Sequence, residues 1–201
     1  LFILLDRPNP ISGDLTKAEG PMLDSKTASF IGRWNIPIRH SCTLGELASY
    51  FANQQIPTLD FQVIKIKNWQ RNSYADTTWS FSPTSPAIKD IETALLYPGM
   101  GLLEGVNVNE GRGTNHDFKQ FGAPWMDAIS IKKQLDILEI PGVTFSTVTY
   151  TPTWGIYEKE KCFGIKLEIT NSQIIRPVSL GVNIIKLLIS HHPENCIPRL
   201  Y

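Results

Sequence analysis

The sequence predicts an α/β protein, and three observations carry that prediction. Phe2-Ile3-Leu4-Leu5 and Leu59 to Ile66 are short apolar runs of strand length, while Val143 to Tyr150 and Cys162 to Thr170 alternate in character with the period of two that a pleated strand imposes. Thr43 to Asn53 and Pro177 to Ile189 instead repeat their apolar residues every three or four positions, the spacing of one helix face. The two patterns are interleaved along the chain, which is the mark of α/β architecture. Leu1 to about Ile56 reads as the tail of one domain, and residues 57–201 read as a second, mixed α/β domain. Strand direction is not encoded in these patterns.

The first apolar run stops at Asp6-Arg7-Pro8-Asn9-Pro10, where two prolines forbid further ladder pairing. Asp6 falls where a parallel strand delivers a side chain to the carboxyl edge of a sheet, a usual place for ligand groups; anchoring the loop or capping nearby amides is the other reading. Residues 11–33, rich in Gly, Ser, Lys and Asp, read as an extended loop. Thr43-Leu44-Gly45-Glu46 has the spacing of a capping box, so a helix is expected to start there with Leu44, Leu47, Ala48 and Phe51 inward. That spacing favours Glu46 as a cap over Glu46 as an acid catalyst. Arg39 and His40 precede the same helix and could meet an anion at its amide-rich start. His40 is a candidate catalytic residue, although a lone histidine is more often a structural hydrogen-bonder.

After the strand expected over Leu59 to Ile66, Trp69-Gln70-Arg71-Asn72-Ser73-Tyr74 and Trp79 to Pro86 form a long aromatic loop. Rings stack on the apolar faces of sugars and guanidinium or amide groups reach their hydroxyls, so Trp69, Arg71 and Tyr74 suit a carbohydrate subsite, with loop packing as the alternative. Asp90 to Tyr97 reads as a short helix closed by Pro98-Gly99, and Met100 to Leu103 as a buried strand ending at Glu104. The helix expected from Trp125 or Asp127 to Leu138 carries Ile129, Leu135 and Leu138 as core contacts. Thr151 to Lys161, with Trp154 and Tyr157, reads as a rim loop. His191 and His192 lie past the last helix, where a cation suits the dipole, and read as caps rather than metal ligands.

Gly105 to Gly113, between that expected strand and the aromatic stretch Phe121-Gly122-Ala123-Pro124-Trp125, combines glycines with Asn107, Asn109, Glu110 and Arg112. Gly111 and Gly113 bracket Arg112, so the backbone can turn sharply and aim the guanidinium. A polar loop at the end of a buried run suits a binding site, and suits equally a structural loop with a surface ion pair.

Several function classes are excluded by composition. Nineteen basic and nineteen acidic residues leave no net charge, and no Lys/Arg stripe accompanies the aromatics, which argues against a sequence-independent nucleic-acid binder. No apolar run reaches the ~18 residues that a spanning helix needs. The three cysteines, Cys42, Cys162 and Cys196, lack metal-type pair spacing, so no metal is expected and at most one disulfide could form. A nucleotide-binding enzyme is disfavoured because neither phosphate-binding glycine motif is present, and no cofactor is implied. Leu1 opens inside an apolar strand pattern without an initiator Met or a charged leader, so a fragment is expected and export is left open.

Read with Asp6-Arg7-Pro8-Asn9-Pro10, Glu19-Gly20-Pro21, Ile36-Pro37-Ile38-Arg39-His40, Thr43-Leu44-Gly45-Glu46-Leu47-Ala48 and Glu92 to Gly99, the stretch Leu102 to Asp127 resembles the NamZ family of exo-β-N-acetylmuramidases, formerly a DUF1343 family. The resemblance runs in order from about Leu4 to about Pro193. His40-Ser41-Cys42-Thr43 departs from the family's usual His-Gly-Met-Thr, Arg71-Asn72 from Arg-Asp and Pro86-Ala87 from Pro-Asn. The resemblance implies that residues 1–56 end a Rossmann-like domain whose earlier part is a partner on the same protein, with a cleft between the halves. It also implies a secreted or periplasmic glycosidase that releases N-acetylmuramic acid from the non-reducing ends of peptidoglycan fragments.

Glycoside hydrolysis needs two carboxyl groups. Glu104 is the first candidate here, with Glu110 and His40 beside it, while the family's principal catalytic Glu is expected in the other half. The lactyl carboxylate of muramic acid calls for a guanidinium, for which Arg112 and Arg39 are candidates. Asn109, Trp69, Arg71 and Trp125 complete the expected sugar-binding set. A carbohydrate-binding protein that has lost the chemistry is the alternative.

Overall fold

A computed structural model describes residues 1–71 and 81–199. Asn72, Ser73, Tyr74 and Trp79, part of the expected aromatic subsite, lie outside the described residues. The chain divides into two compact units, Leu1–Phe81 and Ser82–Tyr201. The division falls later than the one expected after Ile56, because the strand Phe61–Ile64 pairs back onto Phe2–Leu5 and so belongs to the first unit.

In the first unit, β1 (Phe2–Leu5) and β4 (Phe61–Ile64) are parallel, in register from Phe2 opposite Phe61 to Leu5 opposite Ile64. Phe2, Ile3, Leu5 and Ile64 are exposed, although a parallel pair is ordinarily covered on both faces. β2 (Glu19–Met22) and β3 (Pro37–Arg39) form a separate antiparallel pair within the stretch expected to be loop and its continuation. Helix α1 (Leu44–Gln55) begins as its sequence dictates, with the Thr43 hydroxyl accepting from the Glu46 N–H and the Glu46 carboxylate accepting from the Thr43 N–H.

Asp6 completes that start. Its carboxylate accepts from the Gly45 N–H at 2.6 Å and from the Thr43 hydroxyl at 3.1 Å. The anion at the amide-rich end of α1 is therefore the protein's own side chain, which is the anchoring role of Asp6 rather than the ligand role.

The second unit is built on an antiparallel sheet in the order β5 (Gln120–Ala123), β7 (Cys162–Ile169), β6 (Val143–Tyr150). The two strands read from alternation, β6 and β7, pair along their whole length. Helices α2 (Ile91–Met100), α3 (Ala128–Ile137) and α4 (Pro177–His191) supply the rest of the core, with Leu96, Met100, Ile131, Leu135, Leu180, Ile184 and Leu188 buried. Ile129 is 77% exposed and Leu138 is exposed too, so the inward face of α3 is Ala128, Ile131 and Leu135 instead.

The expected strand from Met100 to Leu103 is helical. α2 continues through Pro98-Gly99 to Met100, and a 3-10 helix, Gly101–Gly105, follows directly and carries Glu104. Burial of Met100 and Leu103, three residues apart, matches this helical path as well as it matched a buried strand. Among the described residues no helix is long and apolar enough to cross a membrane.

Candidate functional site

The Gly105-to-Gly113 loop is fixed to the sheet before it presents any side chain. Asn109 exchanges both backbone hydrogen bonds with Gly122 of β5, each at 2.9 Å. Its side chain is buried and fully engaged: Nδ2 donates to the carbonyls of Arg112 and Ile156, while Oδ1 accepts from the Gly111 N–H and the Tyr150 hydroxyl. Asn109 therefore shapes the loop, with its amide spent on internal partners. Gly111 and Gly113 have φ of +87° and +78°, and a Cβ on Gly113 would lie 2.6 Å from the Trp154 carbonyl oxygen. Both the conformation and the close approach demand glycine.

Arg112 is the centre that this loop builds. Its Nη2 donates to Glu104 Oε1 at 2.6 Å, its Nε lies 3.3 Å from Glu110 Oε1, and its guanidinium carbon stands 5.0 Å from the centre of the Phe118 ring. One guanidinium thus joins two carboxyl groups from either end of the loop. Glu110 is 4% exposed, its buried Oε2 has no partner among the described residues, and burial raises its pKa above the ordinary carboxylate value despite Arg112. Glu104 is more open to solvent.

Arg112 also borders an open cleft of about 410 Å³ whose other walls include Pro86, Lys89, Thr114, Asp117 and Trp154. Lys89 Nζ lies 2.7 Å from Asp117 Oδ2, with the lysine exposed and the aspartate buried. Asp117 left no signal in the sequence. Trp154, read only as part of a rim, was recognisable as an aromatic between Pro152 and Gly155, and Lys89 as a cation following the Ser85-Pro86-Ala87 turn.

The other expected site residues are engaged elsewhere. Trp125 Nε1 donates to the Tyr157 hydroxyl at 2.8 Å, Tyr157 donates to the Asn107 carbonyl, and the Trp125 ring meets His192 edge-on. This is a locked aromatic cluster. His191 reaches back to the Leu187 carbonyl as a C-terminal cap does.

Arg39, His40, Trp69 and Arg71 lie in the first unit. Arg39 is a core residue: it is buried, with Nη2 donating to the Ile11 carbonyl at 2.8 Å and Nη1 3.5 Å from Glu19 Oε2. It is not placed to receive an anionic substrate, and the reason is tertiary, since burial leaves a charged side chain only with internal partners. His40 Nδ1 accepts from the Cys42 N–H at 3.0 Å, so the ring closes a turn, and burial lowers its pKa. Arg71 pairs with Glu46, the helix cap, and donates to the Gly13 carbonyl, while its guanidinium carbon stands 5.5 Å from the centre of the Trp69 ring. Among the described residues the buried Trp69 N–H has no partner, and the indole packs against Gly13. Trp69 and Arg71 thus come together, but on each other, as the loop-packing reading has it.

Among the described residues no group of three or more His, Cys, Asp or Glu side chains is placed to hold a metal ion. Cys42, Cys162 and Cys196 are free thiols.

Residues 1–92 match the family model described as exo-β-N-acetylmuramidase NamZ, N-terminal, and residues 95–199, more than half of the chain, match its C-terminal counterpart. The chain belongs to the NamZ family. The peptidoglycan β-N-acetylmuramidase NamZ of Bacillus subtilis strain 168 is 38% identical over 195 residues, which are 96% of this chain and 47% of that protein. A crystal structure of a DUF1343 family protein from Bacteroides fragilis NCTC 9343 superposes with a TM-score of 0.87 at 29% identity, over 96% of this chain and 51% of that one. A second DUF1343 protein of the same strain gives a TM-score of 0.67 at 29% identity, over 86% and 45% of the two chains. The chain spans about half the length of the NamZ relatives that it matches.

Proposed function

We propose that the protein carrying this chain is an exo-acting glycoside hydrolase that releases N-acetylmuramic acid from the non-reducing ends of peptidoglycan fragments. The observation that carries this reading is Arg112, held by Glu104 and Glu110 at the wall of an open cleft in a chain of the NamZ family. Muramic acid differs from glucosamine by a lactyl carboxylate, and a guanidinium offers that group paired, directional donors. Glu104 supplies the more accessible of the two carboxyl groups, and Glu110, protonated more readily than an ordinary glutamate, stabilises the loop from behind. Sugars derived from peptidoglycan are the partners, and since that polymer lies outside the cytoplasmic membrane, the enzyme works as a secreted or periplasmic protein. No cofactor enters the reading, because two carboxyl groups suffice for the reaction.

The test is release of N-acetylmuramic acid from a chromogenic N-acetylmuramide by the full-length protein, before and after Glu104→Gln. A carboxylate acting in the reaction predicts a fall in turnover of about a hundredfold or more with near-normal sugar affinity. Unchanged turnover removes Glu104 from the site, and sugar binding without any turnover by the parent favours a non-catalytic binding protein.

A further inference from the structure

The cleft beside Arg112 has two walls whose chemistry the muramidase reading leaves unused. Trp154 is 53% exposed, which is unusual for so large an apolar ring, yet its backbone is pinned. The Thr153 N–H and hydroxyl both reach the Gly113 carbonyl at 2.9 Å, and Gly113 leaves no room between its own backbone and that of Trp154. The loop that aims Arg112 therefore also presents the indole.

Lys89 stands on the same cleft. Its ammonium is held at 2.7 Å by the buried carboxylate of Asp117 while its side chain is 56% exposed, so one N–H is fixed inward and two remain for a ligand. Arg112 is arranged alike: the Nε and Nη2 edge faces Glu110 and Glu104, and among the described residues no acceptor meets Nη1. Each cation has a carboxyl group behind it that fixes its direction, with donors left for a ligand. An exposed indole that lines the same cleft as two such cations suits one kind of ligand, a flat-faced pyranose that bears a carboxylate.

We propose that Lys89 and Trp154 form a seat for such an acidic pyranose, with the indole under the ring and the Lys89 ammonium, together with Nη1 of Arg112, at the carboxylate. The inference rests on the hydrolase reading for the identity of the sugar and adds to it two specificity-determining residues. Lys89 sets the preference for the acid, and Trp154 sets affinity for the ring whether or not the acid is present.

Titration calorimetry of the full-length protein with N-acetylmuramic acid and with N-acetylglucosamine, beside turnover of the chromogenic muramide, tests this. The double variant Lys89→Gln/Asp117→Asn removes both charges without stranding a buried carboxylate. It is expected to weaken N-acetylmuramic acid binding about tenfold and N-acetylglucosamine binding less than about twofold. Trp154→Ala is expected to weaken both sugars by about tenfold and Trp154→Phe by much less. Because Trp154 is largely exposed, this arm does not depend on the fold tolerating the charge change. A selectivity unchanged by the double variant, or a Trp154→Ala protein that binds both sugars as the parent does, overturns the seat while the parent's turnover leaves the hydrolase reading standing. A parent that prefers N-acetylmuramic acid through Lys89 but never cleaves supports the seat and overturns the hydrolase. A parent that binds neither sugar overturns both.

Discussion

Gly99 and Gly181 meet backbone to backbone where α2 crosses α4. A Cβ on Gly181 would lie 2.2 Å from the Gly99 carbonyl oxygen, and one on Gly99 would lie 1.7 Å from the carbonyl oxygen of Pro177. The contact explains why Pro98-Gly99 sits inside a helix rather than after it: the glycine is needed for the crossing, not as a terminator. Gly181→Ala forces the two helices apart and is expected to cost about 3 kcal/mol, read from chemical denaturation. A variant as stable as the parent would place the crossing elsewhere.

Ser41 has φ of +55°, and among the described residues its buried hydroxyl has no hydrogen-bond partner. It stands where the family's usual His-Gly-Met-Thr has glycine. Ser41→Gly relieves the left-handed strain and removes the unsatisfied group, and the larger backbone entropy of glycine in the unfolded chain offsets part of the gain. The net expectation is a protein more stable by about 1 kcal/mol, measured as a rise in melting temperature. A lower melting temperature would mean that the hydroxyl has a partner in solution.

Asp6 accepts from the Gly45 N–H, the Arg7 N–H and the Thr43 hydroxyl, whereas Thr43 caps through a single backbone amide. Asp6→Ala is therefore expected to destabilise by about 2 kcal/mol and Thr43→Ala by about 1 kcal/mol. Denaturation of the two variants side by side decides the matter, and equal losses would deny Asp6 its place at the helix start.

Glu110 links stability to pH. Its pKa is raised above the ordinary carboxylate value of about 4.5, chiefly by burial, so the folded state holds the proton more tightly than the unfolded state does. The stability that this contributes is fully present below the unfolded pKa and is lost as pH rises through the folded one. Glu110→Gln cannot ionise, so the variant's stability minus the parent's is expected to rise with pH above 4.5 and then level off. A difference that stays flat across that range would show that Glu110 titrates alike in both states.

Features that depend on near neighbours were legible in the amino-acid order alone. The capping box at Thr43 and Glu46 closes over three residues, β6 and β7 declare themselves by alternation, and α4 by its repeated apolar face. The family motifs, contiguous as they are, were legible as well, and so was the turn that aims Arg112, because Gly111 and Gly113 flank it directly. Features that depend on residues far apart in the chain emerged with the folded arrangement. Met100 to Leu103 suits a strand or a helix equally until α4 closes against Gly99, and Arg39 is a charged residue like any other until Ile11, 28 positions away, accepts from it in the core. Lys89 and Asp117, likewise 28 apart, meet at a cleft wall that also includes Trp154, and no local pattern records that meeting. Propensity and capping act over one helical turn, whereas burial and charge pairing are fixed only when the chain has closed on itself.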